Sequence, residues 1–314
     1  MGAVRALSFF VCSLAAVGLG SGLSFARDYD HGGHRCGGPI VNTVDGPVRG
    51  FTKNGVNIFF GIPYAAPPVG ELRWQPPQPV KRWRVTLDAT RFASNCPQVT
   101  GFGAFAAPAS INEDCLYLNV FTTGGGYHRR KKPVIVWIHG GGNIGGESND
   151  YDGSKLASGG PDGVETVVVT FNYRLGMFGT FSHPAINAEG HLWGNYSTLD
   201  QQVALHWVKR NIDAFGGDPK KVAVAGQSQG GIYVGVNVLS PLSKGLFNRA
   251  IIESSPAVIW TFPTAAIALS IGTSFAIAAG WPGSDAAVAH CLRNLSTART
   301  LQLQGTPMQL VRTR

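Results

Sequence analysis

The sequence predicts an α/β fold with a mostly parallel central sheet and helices on both faces. Continuous apolar runs begin at Val134, Thr166 and Val222, and such runs are typical of strands that are covered on both faces. Between the second and third runs, apolar residues of segment 199–215 recur every three or four residues, which indicates an amphipathic helix. A strand, a helix and a further strand in this order indicate parallel strands joined by a crossover.

The composition is that of a folded protein. Hydrophobic residues make up 44% of the 314 residues, and charged residues make up 14%, well below the usual value of about 25%. These values exclude an intrinsically disordered chain, and the length favours one large domain. The net charge of +8 includes one basic run, residues 129–132, with no aromatic residue interleaved. We therefore expect a solvated loop there and no nucleic-acid partner.

Residues 1–26 have the features of a cleaved export signal. The charged residue Arg5 precedes an apolar run from Ala6 to Leu19, and a small-residue pattern at 24–26 follows. Because the run is shorter than the roughly 20 residues of a membrane span, we expect no stable membrane anchor here. The sequence therefore predicts a secreted or extracytoplasmic domain over residues 27–314.

The amino-terminal part of this domain is predicted to form short antiparallel hairpins. Apolar residues alternate with polar ones between Ile40 and Phe60, and the turn pairs Asp45-Gly46 and Asn54-Gly55 interrupt them. The following segment, 61–79, is rich in proline and is predicted to lie on the surface.

The later elements continue the α/β pattern. The helix within 199–215 is closed by Gly216-Gly217, and residues 250–252 are predicted to form a further strand. The segment 254–284 has no charged residue, but prolines interrupt it. One helical stripe of this segment contains Ile267, Ile271, Phe275 and Ala279. We therefore expect a buried or lid helix there rather than a membrane span.

One serine motif lies where an α/β protein can expose a nucleophile. Gly226-Gln227-Ser228-Gln229-Gly230 follows the strand at 222–225 and precedes a segment predicted to be helical. A nucleophile elbow requires this context, because a sharp strand-to-helix turn presents the serine hydroxyl. A G-x-S-x-G match alone is common in a chain with 42 glycines, so its position carries the prediction.

A glycine-rich loop is predicted at the end of the strand at 134–138. His139 is followed by Gly140, Gly141 and Gly142, and consecutive glycines let backbone N–H groups approach a substrate closely. In an acyl-transfer enzyme such donors bind the oxyanion that forms when serine attacks a carbonyl. An ordinary glycine turn would explain the same residues without chemistry, but the two motifs together favour the first interpretation.

With these motifs, further segments make the chain resemble the type-B carboxylesterase and lipase family, which includes the cholinesterases. The resemblance runs from Gly38 to about Leu301. It includes the segments 60–65, 113–120, 171–176, 194–195, 200–201 and 214–219. It implies an α/β-hydrolase fold and a serine ester hydrolase that acts without a metal or an organic cofactor.

The resemblance also implies roles for individual residues. Ser228 would be the nucleophile that forms an acyl-enzyme, and the backbone N–H groups of Gly141, Gly142 and Gln229 would form the oxyanion hole. The family usually has alanine at the position of Gln229 and often has glutamate at that of Gln227. Because the oxyanion donor is a backbone group, the exchange at Gln229 need not abolish the hole.

The family pattern further implies one disulfide and two structural ion pairs. The disulfide joins Cys96 and Cys115, whereas Cys291 would be free or joined to Cys36. The implied ion pairs are Arg174 with Asp200 and Arg73 with Glu113.

The acid and the histidine of the family's triad lie beyond the end of this sequence. After Ser228 the acidic residues are Glu253 and Asp285, and the histidine is His290. Asp285 and His290 follow the order serine, acid, histidine, but they lie in one short segment, so we do not assign them to the triad. We expect an esterase that lacks its C-terminal part and, with it, the base that takes the serine proton.

Two functions are compatible with these residues. One is a secreted carboxylic-ester hydrolase, which the retention of Ser228 favours, and the other is a non-catalytic binding or adhesion protein like some cholinesterase relatives. The expected partner is a small-molecule ester. Choline esters are disfavoured, because the loop between Cys96 and Cys115 lacks the tryptophan that cholinesterases place there. The set His31, His34 and Cys36 lacks a fourth ligand, so no metal site is predicted, and the oligomeric state is not defined.

Overall fold

The structure of the chain, a computed structural model, describes residues 37–99, 107–124, 130–255 and 263–312. Its side chains are described as far as residue 304. The predicted export signal, residues 1–26, therefore lies outside the described residues, as do His31, His34 and Cys36.

Two sheets are formed by the strands of the described residues. The strands are β1 (Ile40–Asn42), β2 (Pro47–Arg49), β3 (Phe51–Lys53), β4 (Val56–Pro63), β5 (Leu87–Asp88), β6 (Tyr117–Thr123), β7 (Lys132–Ile138), β8 (Val167–Phe171), β9 (Gly217–Gln227) and β10 (Arg249–Glu253). Seven of them form the central sheet in the order β10-β9-β7-β8-β6-β4-β3, and β1, β2 and β5 form a small second sheet.

The central sheet is parallel on one side and antiparallel on the other. β10, β9, β7 and β8 pair in parallel, whereas β6, β4 and β3 continue the sheet with antiparallel pairs. The hairpins predicted between Ile40 and Phe60 are confirmed as β1-β2 and β3-β4. In the second hairpin, Asn54 and Gly55 have φ values of 51° and 77°, which are the left-handed values of a tight two-residue turn.

Helices flank the sheet and also pack on one another. They are α1 (Ser154–Ala157), α2 (Gly176–Thr180), α3 (Pro184–Asn187), α4 (Tyr196–Asn211), α5 (Gln229–Leu239), α6 (Ala265–Ala278), α7 (Ala286–Arg293) and α8 (Thr297–Arg312). α5 packs on β9 and β10, α1 packs on β6 and β8, and α6 contacts α8. The predicted helix over 199–215 is α4 followed by a 3-10 turn, which ends at Gly216 with a φ of 82°.

The uncharged segment 254–284 contains α6. Of its predicted stripe, Phe275 is fully buried whereas Ile267 is 44% exposed, so the helix is covered towards its carboxyl end. Within the described ranges, none of the helices combines the length and apolar character that a membrane crossing needs.

Burial along the chain follows the sequence pattern in the strands but not in the proline-rich segment. All five residues of β8 are buried, as expected from its continuous apolar run. In segment 61–79, however, Tyr64, Arg73 and Trp74 are buried. The Trp74 Nε1–H donates to the Met177 carbonyl at 2.8 Å, and its ring lies 4.2 Å from that of Phe181. The prediction of a surface segment was wrong, because proline content indicates backbone shape and not exposure.

Candidate active site

Ser228 lies at the turn between β9 and α5. Its φ and ψ are 54° and −123°, and such values cost a non-glycine residue of order 1–3 kcal/mol. A Cβ on Gly226 would lie 2.5 Å from the Gly230 carbonyl carbon, and one on Gly230 would lie 2.0 Å from the Ile138 carbonyl oxygen. The glycines of the G-x-S-x-G motif are therefore a packing requirement of this turn.

Two backbone hydrogen bonds hold the turn. The Ser228 N–H donates to the Glu253 carbonyl at 2.9 Å, and the Ile232 N–H donates to the Ser228 carbonyl at 3.0 Å. The first bond attaches the turn to β10, and the second belongs to the first turn of α5. Ser228 is half-buried, and its hydroxyl does not cap the helix. The Ser228 hydroxyl therefore takes no part in capping the helix whose first turn positions it.

The predicted glycine loop contacts this turn. It follows β7, and Gly141 and Gly142 have φ values of 104° and 61°. A Cβ on Gly140 would lie 3.3 Å from the Ser228 Cβ and 2.9 Å from the Gln227 carbonyl oxygen. The structure thus brings the two sequence motifs side by side.

Three backbone N–H groups of the two motifs are available as donors. Within the described part of the chain, the N–H groups of Gly141 and Gly142 donate no hydrogen bond. Gln229 is the first residue of α5, where an N–H has no acceptor inside the helix and the helix carries partial positive charge. A developing oxyanion requires donors of this kind. The assignment of these three groups to an oxyanion hole stays a prediction.

Gln98 forms two hydrogen bonds with Gly146, which ends the glycine loop (residues 139–146) that follows β7. Its Nε2 donates to the Gly146 carbonyl at 3.0 Å, and the Gly146 N–H donates to its Oε1 at 2.9 Å. Gln98 is buried and lies two residues after Cys96, so the loop that the disulfide closes reaches the glycine loop through this side chain. Sequence reasoning missed Gln98, because no local pattern indicates a contact across 48 residues.

His139 supports the glycine loop as a neutral side chain. Burial lowers its pKa to about 4. Its Nδ1–H donates to the Gly140 carbonyl at 2.8 Å, and its ring stacks on that of Tyr173 with centroids 4.4 Å apart. The Tyr173 hydroxyl donates to the His139 carbonyl at 2.8 Å. These contacts make His139 a structural support of the loop rather than a base for Ser228.

Both predicted ion pairs are present and buried. Arg174 donates to the Asp200 carboxylate from Nε at 2.8 Å and from Nη2 at 2.7 Å. Arg73 forms a similar two-pronged contact with Glu113, and its Nη1 donates to the Arg293 carbonyl at 2.8 Å. Each pair joins segments that are distant in sequence, as expected of structural residues.

The predicted disulfide between Cys96 and Cys115 is present, with Cα atoms 4.9 Å apart. Cys291 is half-buried and forms no disulfide with a described residue. A bond between Cys291 and Cys36 stays a prediction, since Cys36 lies outside the described residues.

Asp285 and His290, which follow Ser228 in sequence, have other partners. Asp285 caps α7 by accepting the Val288 N–H at 3.0 Å. His290 lies on the surface, 3.6 Å from the Glu71 carboxylate. Neither forms a hydrogen bond with Ser228 within the described ranges, and their exclusion from the triad stays a prediction. The same ranges contain no cluster of His, Cys, Asp and Glu that could hold a metal ion.

Known proteins share this architecture. A model of the carboxylesterase family matches residues 37–312. The medium-chain fatty acyl-CoA hydrolase precursor of Anas platyrhynchos is 42% identical over 290 residues, which are 86% of this chain and 50% of that protein. Carboxylesterase 1E of Rattus norvegicus is 38% identical over 302 residues, which are 89% of this chain and 51% of that protein.

Solved structures agree with the sequence relatives. A thermophilic PNB esterase superposes with a TM-score of 0.77 at 37% sequence identity, and the match covers 88% of this chain and 55% of that one. The predicted fold is thereby confirmed. The chain spans about half the length of the curated relatives it matches.

Proposed function

The chain belongs to the carboxylesterase family, and from this membership we propose that it is a serine carboxylic-ester hydrolase that forms an acyl-enzyme at Ser228. The observation that carries the proposal is the strained, positive-φ turn at Ser228, packed against the glycine loop that follows β7. Strain of this kind persists only where the surrounding structure enforces it, and it concentrates at functional sites.

The proposed reaction begins when the Ser228 Oγ attacks the carbonyl carbon of an ester. The carbonyl oxygen takes the electron pair, and the N–H groups of Gly141, Gly142 and Gln229 donate hydrogen bonds to it. The tetrahedral intermediate then expels the alkoxide, which leaves as the alcohol after taking up the proton that the Ser228 hydroxyl lost in the attack, and the acyl group stays on Ser228. Water attacks this acyl-enzyme, one of its protons returns to the Ser228 oxygen, and the acid is released. Loss of one oxyanion donor typically costs about 100- to 1000-fold in rate.

Two glutamines distinguish this elbow from the usual family pattern. Gln229 contributes a backbone N–H, so its side chain leaves the donor in place. The Gln227 Oε1 lies 3.1 Å from the position of a Cβ on Gly140, so this side chain reaches the glycine loop. Because Gln227 is neutral where the family often has glutamate, it adds no negative charge next to the proposed oxyanion, which favours oxyanion formation.

One observation favours a second candidate function. Among the described residues, no histidine forms a hydrogen bond with Ser228, and a serine hydroxyl without a base is a weak nucleophile. Enzymes of this kind that lose triad members keep only about 1000- to 10000-fold catalysis over water. A non-catalytic binding protein with the same fold would need no histidine next to Ser228.

Labelling with a fluorophosphonate probe separates the two functions. For the ester hydrolase we expect Ser228 to be labelled in the full chain, and the label to be lost in Ser228→Ala but kept in Ser158→Ala, whose hydroxyl is exposed. Added imidazole supplies a base and should accelerate labelling only where Ser228 is present. A chain that folds, as judged by circular dichroism, but takes no label in either condition would contradict the hydrolase and support the binding protein.

We further propose a secreted or extracytoplasmic location and a small-molecule ester as the substrate. The apolar segment within residues 1–26 and the Cys96–Cys115 disulfide support this location, because disulfides persist in oxidising compartments. Amino-terminal sequencing of protein recovered from the medium of an expressing cell should give a start at Arg27. Protein that keeps residues 1–26 inside the cell would contradict the location without affecting the proposed chemistry.

A further inference from the structure

Two asparagines of the sequence stand in the pattern Asn-X-Ser, which accepts N-linked oligosaccharides in secreted proteins. The first is Asn195, at the start of α4, and the second is Asn294, between α7 and α8. A transferase must bind the asparagine amide and the serine hydroxyl of the pattern together. The contacts of these side chains distinguish the two segments.

The serine of the first segment is enclosed in the fold. Tyr196 and Ser197 are buried, and the Ser197 hydroxyl donates to the Arg174 carbonyl. Arg174 also forms the buried ion pair with Asp200. The Ser197 hydroxyl becomes accessible only when the first turn of α4 unwinds, so folding of this helix competes with modification of Asn195.

The second segment is the three-residue loop that joins α7 to α8, residues 294–296. Asn294 and Ser296 are both exposed. The Ser296 Oγ accepts the Arg299 N–H at 3.1 Å, and within the described ranges its hydroxyl donates to no acceptor. This hydroxyl is therefore available to a transferase without the unwinding of a helix.

The Asn294 side chain can carry an oligosaccharide and keep its present contact. Its Nδ2 donates one hydrogen to the His290 Nε2 at 2.9 Å, and the amide nitrogen has a second hydrogen. In the part of the chain that the structure describes, this second hydrogen has no acceptor. An N-glycosidic bond replaces one hydrogen of the amide nitrogen, so the bond to His290 can remain.

Contacts with early segments of the chain hold the loop in place. The Arg73 Nη1 donates to the Leu295 carbonyl, and the Thr297 Oγ1 donates to the Glu113 carboxylate at 2.6 Å. Arg73 follows β4 and Glu113 precedes β6, and these two strands lie towards the opposite end of the central sheet from β10. The outward position of Asn294 is thus defined by packing among described residues.

We propose that Asn294 is an acceptor for an N-linked oligosaccharide when the chain enters a eukaryotic secretory pathway. In the transfer, the Asn294 Nδ2 bonds to C1 of the first sugar of an oligosaccharide that is linked to a lipid pyrophosphate. The bond between C1 and the pyrophosphate oxygen breaks, Nδ2 loses one proton, and the lipid pyrophosphate leaves. The modification requires the proposed secretory location but not the chemistry at Ser228.

Secretion of the full chain, with its own residues 1–26, from a eukaryotic cell tests the site. We expect one oligosaccharide per chain, which peptide-N-glycosidase removes with a decrease in mass and with conversion of residue 294 from asparagine to aspartate. Asn294→Gln should be secreted without the oligosaccharide. Asn195→Gln is the matched control, because Asn195 is also an exposed asparagine of an Asn-X-Ser pattern, and it should keep the full mass decrease.

Substitutions of the serine test the site without changing Asn294. Ser296→Ala removes the hydroxyl and should abolish the modification, whereas Ser296→Thr keeps a hydroxyl and should retain it. Circular dichroism should show that both variants fold, since Ser296→Ala also removes the acceptor of the Arg299 N–H.

Three outcomes would overturn the proposal. The first is a chain recovered from the medium with its start at Arg27 but without an oligosaccharide, which would leave the proposed location intact. The second is an oligosaccharide that both Asn294→Gln and Ser296→Ala leave in place. The third is a chain that stays inside the cell with residues 1–26 attached and no oligosaccharide, which would contradict the location as well as the site.

Discussion

The conformation of Ser228 is possible only because positions 226 and 230 carry no Cβ. A Cβ on Gly226 would lie 2.5 Å from the Gly230 carbonyl carbon, and a Cβ on Gly230 would lie 2.0 Å from the Ile138 carbonyl oxygen, so either would overlap the backbone. The motif and the strand before it were sufficient to predict the turn. The positive φ of the serine could not be predicted from sequence, since it is enforced by tertiary contacts such as the bond from the Ser228 N–H to the Glu253 carbonyl.

His139 makes the stability of the protein depend on pH. Burial disfavours the imidazolium and lowers the pKa of His139 in the folded protein from 6.5 to about 4. Between these values the unfolded chain binds more protons than the folded one, so the free energy of unfolding falls as the pH decreases from 6.5 towards 4. We expect this residue to lower the free energy of unfolding by about 2 kcal/mol between pH 7 and pH 5.

Denaturant unfolding of His139→Phe at these two pH values measures the effect. The phenyl ring can still stack on Tyr173 but takes no proton, so the difference in unfolding free energy should shrink by about 2 kcal/mol. His290→Gln, which replaces an exposed histidine, is the control for the loss of a histidine as such. His183 and His206, whose pKa values are also lowered by burial, are present in both variants. An equal pH dependence in His139→Phe and the unmodified chain would contradict the prediction.

At the scale of elements, the glycine loop after β7 is positioned by a second loop. Gln98→Ala would leave the N–H and C=O of Gly146 without their partners, at about 1–3 kcal/mol for each buried group. We expect the free energy of unfolding to fall by at least about 2 kcal/mol in urea titrations. Gln78→Ala removes an exposed glutamine that bonds within its own loop, and it should have little effect.

A second measurement connects Gln98 to the proposed chemistry. If the glycine loop supplies the oxyanion donors, fluorophosphonate labelling of Ser228 should be slower in Gln98→Ala than in Gln78→Ala under conditions where both are folded. Equal stability of Gln98→Ala and Gln78→Ala would show that the hydrogen bonds of Gln98 do not stabilise the glycine loop.

The strands could be predicted from sequence because each carries its signal in consecutive residues. The run at 166–171 consists of β-branched and aromatic residues, and β8 is buried at every position. Trp74 and Gln98 carry no such signal. Trp74 is buried by contacts with Met177 and Phe181, and Gln98 binds Gly146. Contacts between residues this distant depend on the assembled fold, so no local periodicity encodes them.

At the scale of the whole molecule, a buried ionic network joins early and late parts of the chain. Arg73 pairs with Glu113 and donates to the Arg293 carbonyl, and the Arg293 Nε donates back to the Arg73 carbonyl at 2.9 Å. Arg293 also bonds Glu189 through both terminal nitrogens. These residues attach α7 to the segment before β5, over a separation of 220 residues between the two arginines.

We therefore expect Arg73→Met to lower the stability of α7 more than that of the central sheet. The substitution leaves the buried Glu113 carboxylate without its cation, and removal of one partner from a buried pair costs about 3–5 kcal/mol. Because the same guanidinium binds the end of α7, hydrogen exchange should accelerate over 286–293 more than over β7 and β8. Asp213→Ala is the control, since it removes only an exposed pair with Lys131 and should change stability by less than about 1 kcal/mol. If Arg73→Met raises exchange equally in α7 and in the central strands, the network stabilises the fold as a whole and does not act as a local attachment of α7.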